Sequence, residues 1–264
     1  MHGYADAANA PDITPQQTHI GAAASEVNRE TTNVIRYFLE ELLPPVVRDS
    51  RPMRWLFRGY WGELVNDLED FRSRAHYVGE QEYNEIYAAI PRIQEGTDNS
   101  EACIKRVIEN VSPGDIVDVG CGTGLLLERI IDRLGTDDRE YTGVDIHVDN
   151  ATREKMANVR FEAAMVENLP FEDKSFDTVI CTHVLEHILD IRQAVSELRR
   201  VCRHKLIVVV PKEREYRFTF NPHLHFFAYR HSFLRHMLPV PEGAVCEQLG
   251  RDFFYMEDVD TRAG

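Results

Sequence analysis

The residues best placed to do chemistry form one short run, Ile116-Val-Asp118-Val-Gly120-Cys121-Gly122-Thr-Gly124. Glycines at this spacing let a chain turn tightly after a strand and carry a ligand to backbone N–H groups at the start of a helix. Asp145 stands 21 residues after Gly124, where a carboxylate can accept both hydroxyls of a ribose. Alone, these features also fit a nicotinamide dinucleotide. The spacing argues against that reading, because Leu125 stands where the third glycine of GxGxxG belongs. Asp118 would also repel a pyrophosphate, whereas it would attract an ammonium such as that of a methionine moiety.

Four blocks in order carry a resemblance to a known family: Val117-Asp-Val-Gly-Cys-Gly-Thr-Gly124, Gly143-Val-Asp145-Ile146, Asn168-Leu-Pro-Phe-Glu-Asp-Lys-Ser-Phe-Asp177 and His183-Val-Leu-Glu-His-Ile188. Over residues 98–238 the chain resembles the class I S-adenosylmethionine (SAM)-dependent methyltransferases of type 11, which act on small molecules. The resemblance implies SAM as cofactor. Asp118 and Gly120 would hold the methionine end, with Cys121, Gly122 and Gly124 lining the turn. Asp145 would take the ribose and Ile146 would pack on the adenine. The family has an acidic residue three before the Asn of the Asn-Leu-Pro-Phe block, and here Met165 stands there. The base is therefore expected to meet Met165 and the Val166 backbone, with Glu167 as a possible substitute.

Methyl transfer from a sulfonium needs the nucleophile in line and about 3–3.5 Å away, plus removal of a proton if the acceptor is a hydroxyl. His183, at the predicted end of the fourth strand, is the first candidate for that base. His225 is the second, and His187 is read as structural. Residues 202–236 hold seven Lys and Arg against two Glu, a local charge of +5, with five of the eleven histidines. The remainder then carries −19. This predicts an anionic small-molecule acceptor met by Arg214, Arg217, His223, Tyr229 and Arg230. His223-x-His225 has no Asp/Glu ligand pattern beside it, so no metal site is assigned. Two rival classes are a nicotinamide oxidoreductase, which the glycine spacing disfavours, and a non-catalytic SAM-binding protein, which the Met165 departure allows.

The elements that must position these groups follow from patterning. Strands at Asp115–Val119, Tyr141–Val144, Val159–Ala163, Phe176–Thr182 and Lys205–Val210 alternate with helices from Ser100, Gly124 and Ile188. A helix at Ser232–Leu238 and weak strands at Ala244–Leu249 and Phe253–Glu257 follow. That alternation predicts an α/β fold with a doubly wound, Rossmann-like sheet, which the resemblance makes seven-stranded. Residues 1–24 read as a flexible tail and residues 25–97 as a helical cap or substrate lid. That cap includes helices at Ser25–Leu43, stopped by Pro44-Pro45, and at Glu80–Ile90. Residues 98–264 are the SAM-binding domain, with its substrate-binding segment at 211–236.

The chain has 264 residues, 43% of them hydrophobic, and 30 Lys and Arg against 44 Asp and Glu, for a net charge of −14. This composition suits a folded globular protein and disfavours nucleic-acid or anionic-membrane partners, which need a positive field. The longest aliphatic run near the end, Leu206–Val210, is too short to span a bilayer. Five scattered cysteines without a CxxC pair, and no secretory signal, lead to the expectation of a cytoplasmic location. Oligomeric state is not legible.

Overall fold

The computed structural model describes residues 37–61, 72–73, 75–77, 83, 97–148, 150–215, 217 and 222–259. The expected tail, most of the first cap helix and the helix over 80–90, Tyr83 apart, lie outside the described residues.

The described cap begins with a π-helical turn at Phe38–Leu42. Pro44-Pro45 ends this turn and also starts the next helix. Leu43 and Pro44 are extended, and Pro45 takes the first position of α1 (Pro45–Arg48). A proline disfavours helical geometry in the residue before it, yet suits the first turn of a helix, where its missing N–H costs nothing. Helix α2 (Arg51–Trp61) follows, and its Phe57 is buried against Leu39, Leu43 and Met53. Among the described residues of this segment, Phe57 and Tyr83 are buried, while Trp55 and Tyr77 are 78% and 89% exposed.

From residue 100 the chain alternates as the patterning predicts: α3 (Glu101–Asn110), β1 (Ile116–Val119), α4 (Leu125–Leu134), β2 (Tyr141–Asp145), α5 (Asn150–Lys155), β3 (Arg160–Ala163) and β4 (Phe176–Thr182). A 3-10 turn at Leu185–His187 comes next, then α6 (Ile191–Val201), β5 (Cys202–Pro211), α7 (Arg230–Leu234), β6 (Val245–Leu249) and β7 (Asp252–Asp258). Ser100 caps α3 by accepting the Cys103 N–H, and Asp190 caps α6 by accepting that of Gln193. The α6 helix therefore starts at Ile191 rather than Ile188. Tyr229 and Ser232 form a reciprocal cap that starts α7 two residues before the predicted Ser232. Short, polar α5 and the 3-10 turn carry no hydrophobic period and were not predicted.

The seven strands form one mixed sheet in the order β3-β2-β1-β4-β5-β7-β6. The first five run parallel, and β7 inserts antiparallel between β5 and β6. Alternate residues of each central strand serve two cores, as a sheet covered on both faces requires. Val117, Val179 and Val208 pack with Ala194, Val195 and Leu198 of α6. Ile116, Ile180 and Ile207 pack with Ile104 and Val107 of α3 and with Leu127 and Ile130 of α4. The winding reverses between β1 and β4, so the crevice beyond their carboxyl ends is where such a sheet binds ligands.

Candidate active site

β1 ends at Val119, and the Gly120 N–H bonds to the Val144 carbonyl at 2.7 Å, with that of Cys121 bonding the same oxygen at 2.9 Å. Gly120 has φ +82°, and a Cβ there would stand 2.0 Å from Val184 Cγ2. Only glycine fits, because the loop after β4 lies directly on the turn. Gly124, at φ +75°, leads into α4, where a Cβ would meet Met156 Sδ at 2.5 Å. Asp145 accepts the Gly122 N–H at 2.9 Å and the His147 N–H at 3.2 Å, so the second carboxylate organises the first turn.

Asp118 lies beneath this turn, 1% exposed, and its Oδ1 has no hydrogen-bond partner. Burial, with the charge of Asp145 adding to it, pushes its carboxyl up to about 7. A buried carboxylate oxygen with no donor is costly unless a cation or donor arrives, so the position suits an ammonium group. Cys121 is buried and its thiol is raised far above the ordinary range, by burial first and by Asp118 and Asp145 next. It lines the turn as packing, not as a nucleophile. Ile146 is 41% exposed beside Asp145, and Val166 belongs to the core. Met165 is half-buried, and its carbonyl accepts the Asn168 N–H at 3.1 Å.

His183 follows β4 in a left-handed backbone conformation, φ +55°, a strained setting for a residue with a Cβ. Its N–H is held by the Val209 carbonyl at 2.9 Å. Its Nδ1 stands 3.6 Å from Glu186 Oε1, and its Nε2 stands 3.8 Å from Asp252 Oδ1 of β7. Burial works against protonating this ring, but the Glu186, Asp252 and Asp98 carboxylates outweigh it and raise its pKa. Asn99 reaches the same strand end and donates to Thr182 Oγ1 at 2.8 Å. Asp252 also accepts from Cys103 Sγ at 3.4 Å.

His187 sits at the end of the 3-10 turn with Nδ1 3.2 Å from the Pro222 carbonyl. Burial, reinforced by His223, pushes its pKa down to about 4. The Tyr83 hydroxyl donates to its carbonyl, fastening the cap to this turn. His223 is buried with Nδ1 2.6 Å from Glu213 Oε2, and its ring meets that of His187 edge-on at 4.7 Å.

The candidate acceptor residues divide into two groups. His223 joins the β4 end, and His225 lies next to it, bonding the Ile188 carbonyl through Nε2 at 2.8 Å. Arg214, Tyr229 and Arg230 line an exposed flank. Arg214 pairs with Glu41 at 3.3 Å and lies over the Tyr229 ring at 5.2 Å. Arg230 reaches the Cys246 carbonyl on edge strand β6, three strands from β4. The Arg217 N–H bonds Asp49 Oδ1 at 3.1 Å. The +5 segment also meets acids from outside it: Arg203 with Asp177 at 2.6 Å and Lys205 with Asp258 at 2.9 Å.

Glu186, Glu213, Asp252 and Asn99 were not singled out from sequence. Glu186 lay in plain view in the Leu-Glu-His block. Asp252 is brought in only by strand pairing, which leaves no local pattern.

Residues 117–210 match the methyltransferase domain family. Over that stretch the chain is similar to SAM-dependent methyltransferase domains of type 11. The chain is 32% identical over 91 residues to the uncharacterized methyltransferase YcgJ of Bacillus subtilis, covering 33% of this chain and 36% of that protein. It is 30% identical over 100 residues to the ubiquinone/menaquinone biosynthesis C-methyltransferase UbiE of Campylobacter jejuni, covering 36% of this chain and 43% of that one. The chain thus spans less than half the length of these relatives. The PH0226 protein from Pyrococcus horikoshii shares the fold, with 22% identity, 68% of this chain and 99% of that one covered, and a TM-score of 0.50.

Proposed function

We propose that the protein transfers the methyl group of SAM to a small polar acceptor. The observation that carries this reading is the buried, undonated Asp118 Oδ1 beneath a glycine turn within the matched domain. When bound, SAM supplies an electrophilic methyl on a sulfonium. Asp118 takes the ammonium of its methionine end, beneath the turn at Gly120, where the absence of a Cβ leaves room for the backbone to approach. Each Asp145 oxygen has a further lone pair, so the residue accepts ribose hydroxyls while still holding Gly122 and His147. Ile146 offers an apolar face to the adenine, whose edge meets Met165 and the Val166 backbone.

The acceptor is assigned to the space beyond β4, against His183. A hydroxyl there would pass its proton to His183, whose charge Glu186 and Asp252 would stabilise. That arrangement favours transfer to oxygen over nitrogen, since a free amine needs no base. An anionic group on the acceptor is assigned to Arg217, with His223 and His225 shaping the pocket; Arg214 pairs with Glu41, and Arg230 bonds the Cys246 carbonyl on the far edge strand.

Calorimetry with SAM, S-adenosylhomocysteine and NAD tests the cofactor, and labelled SAM with a panel of hydroxylated acids tests transfer. SAM binding without NAD binding is expected. SAM binding with no transfer would favour a binding protein instead. Loss of an ionic hydrogen bond costs about 1.5–3 kcal/mol, so Arg217→Glu should raise the acceptor KM at least about tenfold. An unchanged KM would remove the anionic acceptor.

A further inference from the structure

We propose that Glu186, His187 and His223 bind one divalent transition-metal ion beside the β4 end. Their ligand atoms all lie within 4.8 Å of one another. The side chains are 1%, 17% and 10% exposed, so the cluster is inside the protein. Glu186 Oε2 is buried with no hydrogen-bond partner. His187 Nε2 stands 4.0 Å from Glu186 Oε1, too far for a hydrogen bond. Metal–nitrogen and metal–oxygen bonds of about 2.0–2.2 Å let two ligands on one ion stand up to roughly 4.2 Å apart. A small inward movement of the third ligand completes the set.

The second layer fits as well. Metal-binding histidines commonly direct one ring nitrogen to a carboxylate or carbonyl, which orients the other toward the ion. Here His187 Nδ1 meets the Pro222 carbonyl, and His223 Nδ1 meets Glu213. Both histidines are fixed to the same turn, because the Glu186 carbonyl accepts the Leu224 and His225 N–H groups at 2.8 and 3.0 Å. The sequence pair His223-x-His225 is thus split. His225 bonds the Ile188 carbonyl, and His223 finds its partners in Glu186 and His187.

Two imidazoles and one carboxylate suit an ion of intermediate softness, such as Zn2+, Co2+, Mn2+ or Fe2+. Three protein ligands leave coordination positions open, as in catalytic metal sites. An acceptor oxygen placed against His183 would be within reach of an open position, and only that use of the ion rests on the proposed methyl transfer. Ion binding itself does not.

The full-length chain, free of tag and stripped with chelator, should be titrated with Zn2+ by calorimetry and with Co2+ by visible absorption, without SAM or acceptor. One ion per chain is expected, with the d–d bands of a four- or five-coordinate Co2+ centre. Glu186→Gln and His223→Ala should abolish the bands. Glu213→Gln, which acts through His223, should weaken affinity about 10–100-fold. His231→Ala, on exposed α7, should leave binding unchanged. Glu186→Gln keeps size and shape, so it decides the matter if His223→Ala does not fold. Absent bands in the folded wild type, or bands that survive Glu186→Gln, would overturn the site. SAM binding measured on the same preparations separates this failure from failure of the methyltransferase reading.

Discussion

At the scale of single residues, the proposed role of Asp118 would link protonation to cofactor binding. Its folded pKa of about 7 exceeds its ordinary 3.8. Between those values the folded chain holds a proton that the unfolded chain releases, so this group's contribution to stability falls as pH rises across the window. Binding of an ammonium runs the other way and strengthens as Asp118 ionises. SAM affinity should therefore rise about eightfold between pH 6 and 7.5, and Asp118→Asn should remove the slope. A flat calorimetric profile for the wild type would contradict the role. Gly120→Ala should weaken SAM binding at least about tenfold and cost about 1–2 kcal/mol in backbone strain. The clash with Val184 adds to that, and urea unfolding beside calorimetry would separate the two losses. Asp118, Gly120 and Asp145 were legible because one strand–turn–helix run holds the first two and the next strand end holds the third. The nearness of Glu186, His187 and His223 was not, because it is made by backbone bonds between segments some 37 residues apart.

At the scale of elements, the buried pair Arg199–Glu257 ties α6 to β7. The contact is 2.7 Å, with the side chains 11% and 0% exposed, and Arg199 also donates to the Met237 carbonyl at 2.7 Å. Removing one partner of a buried pair typically costs about 3–5 kcal/mol, since the other charge stays inside. Arg199→Ala should lower the urea midpoint accordingly, and adding Glu257→Leu should recover part of the loss. A loss of stability under about 1 kcal/mol would show that water reaches Glu257. Strand positions were legible where both faces are covered, as in Leu206–Val210, because a continuous aliphatic run has few alternatives. The insertion of β7 between β5 and β6 was not. A hairpin pattern says that two strands pair but not which one docks on the sheet. The polar α5 and the 3-10 turn carry no apolar period to read.

At the scale of the whole molecule, the −14 charge resolves into local pairings more than into a field. Much of the +5 segment is met by acids outside it, at Asp177, Asp258 and Glu41. Some of these pairings fasten the cap. Glu40, 5% exposed, pairs with Arg251 at 2.5 Å, and Arg48 donates to the Glu215 carbonyl at 3.3 Å. Arg251→Ala should raise hydrogen exchange over 37–61 and increase the acceptor KM several-fold, while SAM affinity holds. Unchanged exchange would show that the cap is held by its apolar contacts alone. The base of the segment between Glu213 and His223 is closed twice, by that side-chain bond and by the Glu213 N–H on the Phe227 carbonyl at 3.2 Å. Neither clasp uses the residues in between. Lengthening a loop whose ends are already joined costs only about 0.6 kcal/mol per doubling. Side chains of that stretch can therefore vary while the Glu215 and Pro222 carbonyls that hold Arg48 and His187 are kept, which makes it the natural place to graft a new acceptor preference onto this scaffold.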